Sequence, residues 1–221
     1  MNKKLFRQSL AGLIPFMIVA STTTIIVGCN RQEDNKFTSH VGHEYADLGL
    51  PSGTKWATLN LGGEENSLAN DYYSWGETET KMLYSLDSYQ WAEGYPSTHE
   101  VIQEKDDVAH VKWGGKWRLP TKEEFAELED TINNTTWTQS PIKGRVSWIV
   151  KSKRNGQSIR LTAFGYRKND KVEQDTIGFY LGATIGTSQK NTFACMGFSK
   201  DTVNMGEAGR YFGYSVRPVF K

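Results

Sequence analysis

Cysteine is scarce in this chain. Two in 221 residues, Cys29 and Cys195, cannot build a disulfide framework or a cysteine-rich zinc site. Neither sign of charge is in excess. The 26 basic and 25 acidic side chains leave a formal charge of +1, which argues against a nucleic-acid binder. Internal repeats, long linkers and low-complexity tracts are missing from the body of the chain. So are Gly-x-Ser-x-Gly, His-Glu-x-x-His and a glycine-rich phosphate loop, the local signatures of several hydrolases and nucleotide binders. What is abundant is aromatic: 7 Trp, 10 Tyr and 10 Phe, beside 21 Gly and only 6 Pro. Aromatics and glycines together point to many short strands and turns rather than a helical bundle. Charged residues at 23% and hydrophobic residues at 38% are ordinary globular usage, which excludes wholesale disorder.

The first 28 residues read as an address. Lys3, Lys4 and Arg7 precede an almost uncharged, mostly apolar stretch from Leu10 to Val27, the layout of a secretory signal. It ends in Ile26-Val27-Gly28-Cys29, which resembles a bacterial lipobox. In such signals the cysteine thiol receives a diacylglycerol and the chain is cut before it, so Cys29 is the expected lipidation site. The alternative is an uncleaved membrane-spanning helix, since the run is near the minimum of roughly 17–25 residues. A lipidated product is tethered to a membrane rather than embedded in it. Residues 29–42 then form a polar tether. Its Gln32-Glu33-Asp34 resembles the acidic signal that sends Bacteroidetes lipoproteins to the outer face of the outer membrane. With Cys29 modified, Cys195 is the one remaining thiol. It sits in the apolar run from Phe193 to Phe198, where a buried, inert cysteine is expected.

Residues 43–221 read as one domain. Tyr45 to Leu50 and Lys55 to Leu61 are strand-like, separated by the turn Pro51-Ser52-Gly53. Residues 71–95 are aromatic and irregular. Asp106 to Val111 predicts a short helix. Thr121-Lys122-Glu123-Glu124 is a capping box that opens a second helix, which ends by Asp130. Asn155-Gly156 predicts a hairpin between Arg145–Lys151 and Ser158–Phe164. Thr176–Thr184, Thr192–Phe198 and Tyr214–Phe220 complete a mostly β second half. The expected class is α+β.

Four blocks carry a resemblance. Leu48-Gly49-Leu50-Pro51-Ser52-Gly53-Thr54-Lys55-Trp56-Ala57-Thr58, then Tyr73-Ser74-Trp75-Gly76-Glu77-Thr78, then Trp113-Gly114-Gly115-Lys116-Trp117-Arg118-Leu119-Pro120-Thr121, then Tyr214-Ser215-Val216-Arg217-Pro218-Val219 stand in this order. They are similar to the Fibrobacter succinogenes major paralogous domain, common in Bacteroidetes lipoproteins. Trp117 to Thr121 with Glu124 also resembles the formylglycine-generating enzymes. The resemblance implies a C-type-lectin-like fold: two short helices, a twisted antiparallel sheet and long irregular loops. It implies that the first and last strands pair, bringing the Glu44 and Phe220 regions together. It transfers fold better than function.

Chemistry is thin in this sequence. Formylglycine-generating enzymes hold copper with a cysteine pair, and Cys195 alone cannot supply that site. Of the four histidines, His40 and His43 are read with the tether, and spacing pairs neither His99 nor His110 with a nucleophile. Calcium needs six to eight oxygen ligands, and neither Glu-Pro-Asn, Gln-Pro-Asp nor Trp-Asn-Asp occurs. No cofactor or metal is therefore expected. Tyr84, Tyr89, Trp91 and Tyr95 are the binding candidates, because aromatic rings with polar edges suit sugars and peptides and the segment is loop-like. Arg118 is either a ligand contact or a buried anchor. Asp130-Thr131-Ile132, Asp175-Thr176-Ile177 and Asp201-Thr202-Val203 resemble the O-glycosylation motif of exported Bacteroides proteins. The expectation is a lipid-anchored, surface-exposed outer-membrane protein that binds a glycan or a host or envelope protein and is not an enzyme. A divergent enzyme of the formylglycine-generating superfamily, a hydrolase and a structural adhesion subunit are the alternatives.

Overall fold

The structure, a computed structural model, describes residues 38–221 apart from 66, 97, 98 and 190. The signal segment, Cys29 and the acidic Gln32-Glu33-Asp34 lie outside the described residues. The first described elements are β1 (Thr38–His40) and β2 (His43–Asp47), within and just after the stretch read as a tether. Val41 and Gly42 both have positive φ, 49° and 78°, the two-residue hairpin turn that matches strand twist. β3 (Lys55–Ala57) pairs antiparallel with β2, Ala46 opposite Trp56.

Two short helices follow. α1 (Val108–Trp113) is capped by Asp107, whose Oδ1 accepts the N–H groups of Ala109 and His110. Gly114, at φ 68°, ends it. α2 (Lys122–Glu129) carries the capping box between Thr121 and Glu124.

The rest is strand. β4 (Thr135–Gln139), β5 (Ser147–Ser152) and β6 (Ser158–Thr162) form one antiparallel sheet, β5 and β6 joined through Asn155-Gly156. β7 (Tyr166–Lys168) and β8 (Lys171–Glu173) are a small hairpin. β9 (Gly178–Ile185), β10 (Thr192–Phe198) and β11 (Val203–Gly209) make a third sheet with β10 central. β12 (Val219–Phe220) adds to β3, completing the order β1-β2-β3-β12.

The expected α+β class with a C-type-lectin-like fold is overturned. The described residues form four small antiparallel sheets, with helix confined to α1 and α2, and the fold is β-rich. The physical reason is local. Gly114 and Asp130 stop each helix within about two turns, and the Thr-rich segment after Asn134 favours strand. The direct pairing of first and last strands is also corrected. β3 stands between β2 and β12, so Tyr45 and Phe220 meet as rings, 4.8 Å apart, rather than as neighbouring backbones.

Packing joins these small sheets. Trp56, Phe125, Leu128, Val150, Leu161, Tyr180 and Phe198 belong to one buried cluster, Trp75, Leu119, Leu181, Phe193 and Val216 to a second. Burying aromatic groups of this size supplies the dominant favourable term for a fold with so little regular ladder.

Candidate functional site

Two of the four aromatic binding candidates are buried and two are half-buried. Tyr84 is buried; its hydroxyl donates to the Tyr72 carbonyl at 2.6 Å and accepts the Lys81 N–H. Tyr89 is buried and donates to the Trp75 carbonyl. Trp91 and Tyr95 are half-buried and meet edge to face at 5.2 Å. Trp91 donates to the Gly76 carbonyl, and Tyr95 to Asp106 Oδ2 at 2.6 Å. Gly76 is required here. Its φ is +77°, and an added Cβ would meet the Trp91 ring at 3.0 Å. These side chains hold an irregular loop down, since its backbone polar groups need partners.

Arg118 is elsewhere and occupied. It donates from Nη1 and Nη2 to the two Glu124 carboxylate oxygens at 2.7 and 2.6 Å, a bidentate pair. Glu124 also accepts from Thr54 Oγ1 and the Thr121 N–H, and Lys221 stands 3.5 Å away. Burial alone would raise the Glu124 carboxyl, but these donors outweigh it and hold it down at about 2. The arrangement ties the 54 turn, the α2 start and the chain's last residue together. Cys195 is buried among apolar groups, which pushes its thiol up to about 12. Thr131, Thr176 and Thr202 are all exposed.

Histidines read as tether residues belong to the domain. His43 lies flat on Trp113, ring centroids 3.7 Å apart and 5° from parallel, and burial lowers its affinity for a proton. His40 stacks on Phe220 at 4.5 Å, and Trp117 donates to its carbonyl.

A concavity lies over β5 and β6. In β6, Ile159 and Leu161 pack into the core and Ser158 and Arg160 lie on the other face, with Thr162 also buried. That face, with Ile149 of β5, contributes to a cleft of about 680 Å³. Glu44 of β2, Thr58, Leu59 and Asn60 after β3, and the His43–Trp113 pair are also part of its lining. A volume of this size is in the range of small-ligand sites.

Two arginines line this cleft, and neither meets a carboxylate among the described residues. Arg217 is buried. It donates from Nε to Asn60 Oδ1 at 2.8 Å, from Nη1 to the Ala57 carbonyl and from Nη2 to the Arg160 carbonyl. Burial lowers its pKa, and Tyr180 is the one partner that offsets this. Arg160 is half-buried. Its Nη1 donates to the Ser140 carbonyl and Ser147 Oγ, its Nη2 to Ser140 Oγ. The lining carboxylates Glu44, Glu64 and Glu65 are exposed.

Sequence reasoning passed over this site because its parts are far apart in the chain. The alternation around Arg160 and the apolar neighbours of Arg217 were the available signals. Compared with protein-family models, curated proteins and solved structures, the chain matches none of them.

Proposed function

We propose that this protein is an exported, lipid-anchored component of a bacterial outer membrane, displayed at the cell surface, whose β-rich domain binds a glycan without catalysis. The lipobox-like Ile26-Val27-Gly28-Cys29 supports the anchor. The four sequence blocks support kinship with the Fibrobacter succinogenes major paralogous domain lipoproteins. The observation that carries the binding reading is the 680 Å³ cleft, in which Asn60, Thr58, Ser158 and Arg160 offer polar groups beside Ile149, Leu59 and Trp113. Sugars present the same mixture of hydroxyl edges and apolar faces.

The test is a glycan array probed with the full chain in detergent, with and without a chelator. Ile149→Trp places a bulky ring in the cleft, whereas Trp91→Ala alters the aromatic segment. Loss of binding in the first variant alone supports the cleft. Loss in the second alone moves the site to the loop. Silence of the folded wild type across the array refutes glycan binding.

A protein partner is the second reading, and one observation favours it. Met82, Leu83 and Leu86 are 85, 54 and 45% exposed on one loop, an apolar knob of the kind found at contact surfaces.

A further inference from the structure

Resting on the cleft reading, the arginine pair narrows the ligand. We infer that the cleft takes an otherwise neutral glycan bearing one acidic group, a carboxylate or a sulfate ester, and that Arg160 is the residue that meets it.

Three observations converge. First, Arg160 has five N–H donors and uses three: both on Nη1 and one on Nη2. The Nε–H and the second Nη2–H have no partner among the described residues. These two lie on one edge of the guanidinium, the fork that grips a carboxylate or sulfate through two parallel bonds. The Ser140 and Ser147 contacts fix the plane of the fork before any ligand arrives, so little side-chain entropy is lost on binding.

Second, Arg217 sits behind it. Its Nη2 donates to the backbone carbonyl of Arg160 at 2.8 Å, and both residues line the same cleft. A guanidinium taken out of water and paired only with neutral acceptors is uncompensated. An anion entering the cleft supplies the missing charge where the dielectric is low and the attraction is strong.

Third, the same cleft carries Glu44, Glu64 and Glu65, all exposed. Water and salt screen them from the buried arginine. They act instead on whatever extends outside. A polyanion meets three like charges at the lining, whereas a neutral chain with one acid does not. The His43–Trp113 pair stays neutral at physiological pH, because burial disfavours the histidine cation.

Titration calorimetry with the full chain in detergent tests this. The probes are a neutral xylo-oligosaccharide carrying one glucuronic acid, its carboxyl-reduced form, the same neutral chain with one sulfate ester, a polygalacturonate fragment and an acidic peptide. Either single-acid probe should bind about 10- to 100-fold more tightly than the reduced form, the worth of a charge-assisted bidentate contact. Preference for the glucuronate or for the sulfate ester tells which anion the fork suits, and both outcomes support the inference. Arg160→Gln should erase the difference. Arg160→Lys, which keeps the charge and loses the fork, should restore only part of it. Unchanged melting temperatures exclude unfolding as the cause. Equal binding of the acidic and reduced probes overturns the inference while leaving glycan binding in place. Tighter binding of the polygalacturonate overturns the single-acid specificity, and tighter binding of the peptide overturns the ligand class. If no glycan binds, the cleft reading itself fails.

Discussion

Replacing Glu124 with glutamine is the sharpest test of how the domain is held together. The Glu124 carboxylate accepts from Arg118 twice, from Thr54 and from the Thr121 N–H, with Lys221 close by. Its side chain is 3% exposed, so solvent screens little of this. Glutamine keeps the shape, removes the charge and turns an N–H₂ group toward donors. Burial works against the charged form, yet the donors hold the carboxyl at about 2 against an ordinary 4.5. That gap converts to roughly 3 kcal/mol of folding free energy. It agrees with about 3–5 kcal/mol for removing one partner of a buried pair. For a domain of this size, each kcal/mol moves the melting temperature by about 2–4 °C, so Glu124→Gln should melt roughly 6–12 °C lower at pH 7. The sign of the pH dependence follows. A carboxyl depressed by folding contributes fully above about pH 4.5, and its contribution is lost as pH falls toward about 2. Melting curves of both proteins, followed by circular dichroism between pH 2 and 8, should therefore converge at the acid end. A difference below about 2 °C at neutral pH, or one that persists unchanged at pH 2, would refute the reasoning.

Three other expectations are independent of it. Gly76→Ala forces positive φ on alanine and drives Cβ into the Trp91 ring, so stability should fall by about 1–3 kcal/mol with a shift in tryptophan emission; an unchanged melting temperature contradicts this. Cys195 should resist a thiol reagent at pH 8 until denaturant is added, because burial keeps it protonated; prompt labelling of the native thiol would show that the run from Phe193 to Phe198 is open. Burial raises Asp107 to about 6 despite three backbone donors, so its contribution falls as pH rises from about 4 to about 6. Asp107→Asn should flatten that part of the melting profile, and an unaltered slope there would count against a buried, raised carboxyl.

Features set by a few neighbouring residues were legible in the sequence. The capping box needs only Thr121 and Glu124 three positions apart, and the β5–β6 hairpin needs only Asn155-Gly156 between two alternating runs. β9 and β10 announced themselves by continuous apolar stretches. β11 did not, because Asn204, Gly206, Glu207 and Gly209 are poor strand formers; it exists through its seven-residue register with β10. Resemblance misled on class, since matching short blocks says nothing of how the sheets between them are divided. Tyr84 and Tyr89 misled on exposure. An irregular segment has no period from which to tell inside from outside, and only the partners at Tyr72 and Trp75 settle it. Arg160 and Arg217 are 57 residues apart and meet through one backbone carbonyl, a relation that no local spacing encodes.

β3 alone separates β2 from β12, so these two strands lie about 10 Å apart across one sheet. Mechanically, the domain hangs from one seam. Tension applied at residues 38 and 220 runs across the short ladders that join β1, β2, β3 and β12. His43 and Glu44 of β2 line the cleft, so its shape depends on Ala46, Trp56 and Val219 staying paired.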